Sequence, residues 1–185
     1  MENELCVGDV LLFDCANPNF AERLILWCES GTVFHAAIYI GANQMVEAAT
    51  SGVKVSPLSD YSGFKIIARR FVSPTPSTQD DNLDVGTKIK TAALFLVGDK
   101  YSYLDDVVDG LRLCLKKCGL HSANAFIARQ YNGFRGIVNC SALCAMAIQE
   151  ATGVNVCAPK DINSITPEDL LLTKNLATKV VDIIP

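Results

Sequence analysis

The chain has 185 residues and a mass of 20.0 kDa, with 50% hydrophobic and 19% charged residues. That excludes whole-chain disorder and fits one globular domain with a real core. Sixteen Lys+Arg against twenty Asp+Glu give a net charge of −4 and a pI near 5.1. The basic residues are scattered rather than gathered into a stripe, which argues against a nucleic-acid partner. The longest apolar stretches, such as 91–97 and 142–148, fall short of the roughly 20 residues of a membrane span, so no integral membrane association is expected.

The chain opens MENELCVGDVLLF, with acids at Glu2 and Glu4 where a secretory signal carries basic residues. This predicts a cytoplasmic protein, with export by a route that lacks a cleaved signal left open. Eight cysteines could make four disulfides, but a core of this size needs no staples and a cytosol keeps thiols reduced, so most are expected as small buried hydrophobes.

Periodicity divides the single domain into a strand-rich part (1–72), a polar linker (73–82) and a helix-rich part (83–185). In chain order, 9–13 predicts a buried strand, 20–28 an amphipathic helix and 34–40 a strand of alternating small and branched residues. A turn at GANQ (41–44) follows, then strands at 45–49, 53–56 and 65–71. Helical spacing returns at 84–97, 103–118, 123–130 and 141–151, and 166–172 opens with a TPED sequence that suits a helix N-terminus. Residues 177–184 predict a returning edge strand. No repeat or low-complexity tract is visible. Segregated strands and helices predict an α+β fold, a small antiparallel sheet packed against helices.

Two histidines limit imidazole chemistry to His35 and His121. His35 opens the strand HAAIYIG and reads either as a base projecting into a cleft walled by Trp27 and Phe34, or as a strand-end histidine satisfied by hydrogen bonds. Taken alone, the second is the commoner case. His121 follows a helix ending near Gly119 and reads as a helix-terminus residue. Among the thiols, Cys140 follows the loop YNGFRGIVN and precedes the helical run SALCAMAIQEA. There the helix dipole and free amides favour a thiolate, and the same amides can receive an oxyanion. Cys144 reads as packed one turn deeper. A four-thiolate zinc site from Cys114, Cys118, Cys140 and Cys144 has the wrong spacing for structural zinc, so no metal or other cofactor is expected. A nucleophile needs a base and the base an orienting partner, for which Glu47, Asp9, Asp14 and Asn43 are candidates. Glu47 lies between apolar residues in QMVEAAT and reads otherwise as a solvent-facing strand residue. A tight turn at 41–44 pairs His35 with a residue near Thr50, so a bulge or strong twist would have to bring Glu47 to the ring.

Together GDVLLF (8–13), HAAIYIGANQMVEA (35–48), VGDKYSY (97–103), NCSALCAMAIQEATG (139–153) and ITPEDLL (165–171) resemble the circularly permuted NlpC-type papain-like superfamily, closest to its YiiX-like branch and related to lecithin:retinol acyltransferase-like proteins. The resemblance spans most of the chain in order and implies a permuted papain-like fold. It implies Cys140 as nucleophile, His35 as base and Glu47, twelve positions on, as the polar third residue. Tyr101 and Tyr103 are then expected beside the cleft, with Trp27 and Asn139 as further substrate contacts, while 104–138 matches no motif. The expected activity is amide hydrolysis of the amidase or peptidase type through a thioacyl intermediate. Lipid acyl transfer or thioester cleavage by the same residues, and a non-catalytic binding module, stand as alternatives. The partner is a peptide or other amide or acyl substrate, and the sequence says nothing of oligomeric state.

Overall fold

The computed structural model describes residues 5–14, 32–49, 51–73, 79–99 and 139–180. The helices predicted at 20–28, 103–118 and 123–130 lie outside these residues, as do Trp27, Tyr101, Tyr103, His121, Cys114 and Cys118.

The class is α+β. Strands β1 (Val10–Asp14), β2 (Val33–Gly41), β3 (Gln44–Ala49), β4 (Gly52–Pro57), β5 (Lys65–Phe71) and β6 (Leu176–Val180) form one antiparallel sheet in the order β4-β3-β2-β1-β5-β6. β1 is paired on both sides, and Val10, Leu11, Leu12 and Phe13 are all fully buried. That double burial explains why it reads as an unbroken apolar run rather than an alternation. β6 comes from the far end of the chain and pairs with β5, Leu176 opposite Phe71.

Register is set by two extra residues in β2. The turn after it places Ala42 and Asn43 at φ 50° and 56°, as a two-residue primed hairpin turn requires, and pairs Gly41 with Gln44. The register then shifts, so that Tyr39 pairs with Met45, Ile38 with Val46 and Ala37 with Glu47, leaving Ile40 unpaired as a bulge. At the other end of β2, Phe13 pairs with His35 but Asp14 with Val33, leaving Phe34 as the second extra residue.

Helices α1 (Gln79–Phe95), α2 (Cys140–Thr152) and α3 (Pro167–Leu172) follow. α1 begins five residues before the predicted 84, inside the stretch read as linker. That stretch is polar in sequence, which does not by itself separate a solvated linker from a first helical turn. α2 packs against α1 and over β2 and β3, and its Ala142, Leu143, Cys144, Ala145, Ala147 and Ile148 join Val10, Leu12, Ile38, Val46 and Ala48 in one apolar cluster. α3 opens with the capping box anticipated from TPED: Thr166 and Asp169 each bond the other's backbone N–H, and Pro167 takes the first turn.

Long-range polar contacts fix these elements to the sheet. The Glu168 carboxylate accepts the Thr32 N–H at 2.8 Å, holding the chain where it enters β2. Arg69 on β5, only 7% exposed, donates to the carbonyls of Leu171, Thr173 and Leu176 and so ties the end of α3 and the start of β6 to the sheet. Buried Asp9 is held by the forked guanidinium of Arg70 at 2.7 Å twice and by the Cys6 N–H at 2.8 Å. Gly8, at φ +86°, meets α1 backbone to backbone at Gly86, where a Cβ on either glycine would fall within 3 Å of the other segment.

On the second face of the sheet, Leu11, Phe13, Ala37, Tyr39, Met45, Ile66 and Ala68 pack with Leu58 from a single 3-10 turn, Leu58–Tyr61. Phe34, Tyr61 and Phe64 lie partly buried against this cluster. Among the described residues no helix is long and apolar enough to cross a membrane.

Candidate active site

Glu47 is a carboxylate in an apolar strand, 1% exposed, and burial of a bare charge is costly unless every lone pair is engaged. Here it is engaged from four sides. His35 Nε2 lies 2.8 Å from Oε2, the Tyr61 hydroxyl donates to the same oxygen at 2.5 Å, the Ser56 hydroxyl donates to Oε1 at 2.5 Å, and Lys54 Nζ stands 3.5 Å from Oε1. Burial alone would raise the Glu47 pKa, but the bonds from His35, Ser56 and Tyr61 override it and hold the group at about 2.

The bulge at Ile40 makes this contact possible. Ala37 opposes Glu47 directly, and His35, two residues before Ala37, projects from the same face one pair along the ladder. A diagonal neighbour at that distance is within reach of a Glu side chain. The reading of Glu47 as solvent-facing is thereby corrected: its face is the aromatic side of the sheet. Of the other candidates for the third place, Asp9 is paired with Arg70, Asp14 ends β1 beside the Phe34 bulge, and Asn43 sits in the turn.

The His35 ring is 12% exposed and packed among aromatic rings. Tyr61 lies parallel to it, 7° between planes and 5.4 Å between centroids, with Phe13 at 5.5 Å and Phe34 at 6.3 Å. Burial would lower its pKa, but a side-chain hydrogen bond with Cys140, the bond to Glu47 and the charges of both raise it from 6.5 to about 9. With Nε2 on Glu47, Nδ1 is the nitrogen left for Cys140.

Cys140 is the first residue of α2 and 8% exposed. Asn139 caps that helix, its Oδ1 accepting the Ala142 N–H at 2.6 Å, and its Nδ2 points to the Asn163 carbonyl at 3.5 Å. Its side chain thus caps the helix through Oδ1. Ser141 Oγ donates to the Ile165 carbonyl at 2.5 Å, anchoring the first turn to the segment before α3. Cys144 is fully buried and its thiol is pushed well above the ordinary value by burial, as expected for a packed cysteine. Cys6 and Cys157 are half-buried, and none of Cys6, Cys140, Cys144 and Cys157 is in a disulfide.

Of the sequence candidates, His35, Glu47 and Cys140 thus come together, and Trp27, Tyr101 and Tyr103 lie outside the described residues. Ser56, Tyr61 and Lys54 were not singled out. Lys54 and Ser56 alternate on β4, opposite Glu47 and Met45, so two polar residues at that spacing were a readable sign of a polar site on the facing strand. Tyr61 gave no local sign.

A buried histidine–carboxylate pair beside a cysteine at a helix start, on an antiparallel sheet backed by helices, defines the class to which comparison applies. No family model matches the chain, and no curated protein matches it in sequence. Five chains among the solved structures do match. One is the crystal structure of metalloprotein yiiX from Escherichia coli O157:H7, DUF1105, with a TM-score of 0.63 and 15% sequence identity over 97% of this chain and 98% of that chain. The two share a YiiX-like fold. That protein is described as a metalloprotein; in this chain no group of three or more His, Cys, Asp or Glu among the described residues is placed to hold a metal ion, so no ligand set is assigned.

Proposed function

We propose that this chain is a cysteine hydrolase of the amidase or peptidase type within the permuted NlpC-like, papain-like superfamily. The observation that carries the reading is a single imidazole held at Nε2 by buried Glu47 while Cys140, at the N-terminus of α2, bonds the same ring. In the reaction, the Cys140 sulfur attacks the carbonyl carbon of an amide and the C–N bond breaks as imidazolium His35 gives its proton to the leaving amine. Neutral His35 then takes a proton from water, whose oxygen displaces sulfur from the thioester and releases a carboxylic acid. Glu47 fixes the ring tautomer and stabilises the imidazolium. The Cys140 and Ser141 amides have no acceptor within the helix and are the donors available to the tetrahedral oxyanion.

Acyl transfer is the second reading; an apolar groove of about 800 Å³ between α1 and α2, walled by Ala92, Phe95, Leu96, Met146, Ala147 and Ala151, lies along the helix that begins at Cys140, with none of Cys140, His35 and Glu47 in its walls. A groove of that character suits an acyl chain, and an alcohol or amine would then capture the thioester in place of water.

The test is to incubate the full chain with a panel of amide-linked and ester-linked acyl donors and identify the acylated residue by mass spectrometry. Acylation of Cys140, lost in Cys140→Ala, with turnover on amides is the expected result. Turnover restricted to lipid esters would favour the second reading. An inert Cys140, with label on Cys6 or Cys157 first, would sink both.

A further inference from the structure

We infer that Tyr61 is a positioning residue of the Cys140–His35–Glu47 reaction, locking the Glu47 carboxylate and the plane of the His35 ring into one geometry; this rests on the hydrolase reading above. Tyr61 ends the 3-10 turn whose Leu58 is buried in the aromatic-side cluster, so the turn is anchored before the phenol reaches the site. The phenol touches the pair twice. Its hydroxyl donates to Glu47 Oε2 at 2.5 Å, the oxygen that His35 Nε2 also meets, and its ring lies parallel to the imidazole at 5.4 Å. Phe13 at 4.4 Å and Phe64 at 6.0 Å hold the phenol from its other contacts.

Packing explains why an aromatic ring is here but not why its hydroxyl shares an oxygen with the catalytic pair. A second donor on Oε2 draws off part of the charge that faces the imidazolium. It therefore limits how strongly Glu47 attracts the ring proton, while leaving Nε2–H as the only stable tautomer. The parallel stack opposes a ring flip, which would exchange the nitrogens and turn the wrong one toward Cys140. Burial and the bond to Glu47 raise the Tyr61 pKa far above that of a free phenol, so it donates over the whole working pH range.

The experiment reads the ring directly. The chain has only two histidines, so ¹⁵N NMR of the full-length His121→Asn protein follows His35 alone. The ionisable groups around it are Glu47, Cys140 and Tyr61, with Lys54 beside the carboxylate and Asp60 beside the phenol. In Tyr61→Phe the stack survives and the donor is lost. The His35 midpoint should rise by roughly half a unit to one unit, with Nε2–H kept as the tautomer of the neutral ring. An unchanged midpoint, with only a lower Tm, would assign Tyr61 to packing and overturn the inference. If Tyr61→Phe does not fold, the hydroxyl proton of Tyr61 in the unaltered chain decides: it should shift with the His35 midpoint, and indifference to His35 ionisation would overturn the inference equally. Acylation of Cys140 in the parent protein is scored separately, so a failure here leaves the hydrolase reading standing, and an inert Cys140 fails that reading whatever Tyr61 does.

Discussion

His35 and Glu47 share a face of the sheet because Ile40, between them in β2, is an extra residue. Continued unshifted from the Gly41–Gln44 pair, the hairpin would place Glu47 opposite Ile38, on the side of the sheet covered by α2, with His35 on the other side. A one-residue slip moves every side chain of a strand to the opposite face. Deleting Ile40 removes the extra residue and leaves Tyr39 opposite Met45 and Ala37 opposite Glu47 in a regular hairpin, so the His35–Glu47 contact should survive, at a cost of about 2 to 5 kcal/mol for the lost buried side chain. Urea denaturation and an NMR titration of His35 in the deletion variant measure both, and a His35 midpoint back at its ordinary 6.5 would show that the bulge itself is needed for the contact.

Glu47→Gln keeps a hydrogen-bond acceptor and removes the charge. Turnover should fall between about 10-fold and 10⁴-fold, the upper figure being the loss known when a triad acid becomes its amide. The amide NH₂ also has to face one of the donors that now crowd the carboxylate, so the fold should weaken slightly. Glu47→Ala strands the Ser56 and Tyr61 hydroxyls and should be destabilised by about 1 to 3 kcal/mol for each buried donor left unpaired. Single-turnover acylation of Cys140 alongside thermal melts separates the two effects.

Stability should carry the signature of this site at both ends of the pH scale. His35 in the folded chain titrates at about 9 against an ordinary 6.5, so its pairing stabilises fully below pH 6.5 and is lost as pH rises toward 9. Glu47 titrates at about 2 against 4.5, so its contribution is complete above pH 4.5 and is lost as pH falls toward 2. His35→Gln should flatten the decline between pH 6.5 and 9 while lowering the plateau. Denaturation midpoints across that window, for parent and variant, are the measurement; parallel curves would show that another group titrates there.

Gly86 reverses an ordinary expectation. Alanine in a helix interior is better than glycine by about 1 kcal/mol. At Gly86 the added Cβ would stand 2.2 Å from the Val7 carbonyl oxygen, so Gly86→Ala should instead destabilise by about 1 to 3 kcal/mol as α1 is forced off the N-terminal turn. Equilibrium unfolding of this single variant settles the sign.

Strands and helix starts were legible where the signal is local. β5 falls on its predicted residues, β2 and β3 within one residue at each end, α2 starts one residue before the predicted 141, and the α3 start follows from cap chemistry at Thr166. The register was not legible, because the turn alone specifies a pairing that the Ile40 bulge then alters. Nor was the hydrogen-bond shell of Glu47. Ser56 leaves only the Lys54–Ser56 alternation on β4 as a trace, and Tyr61 reaches Glu47 through a turn 14 residues on that leaves none. The polar start of α1 misled for a different reason: acids suit both a solvated linker and a helix N-terminus.

The pairing of β6 with β5 makes one sheet out of two distant stretches of chain. Residues 65–71 and 176–180 lie on opposite sides of the junction at 73–79, and Arg69 clamps carbonyls from beyond it while Gly8 abuts Gly86 across it. A polypeptide cleaved in that junction should therefore behave as a two-piece complex. Neither fragment has a complete sheet, and of the candidate site residues the first carries His35 and Glu47 and the second Cys140. Mixing separately expressed fragments should regenerate both the fold and the site together, which makes the junction a natural place to divide the chain for a reassembly reporter.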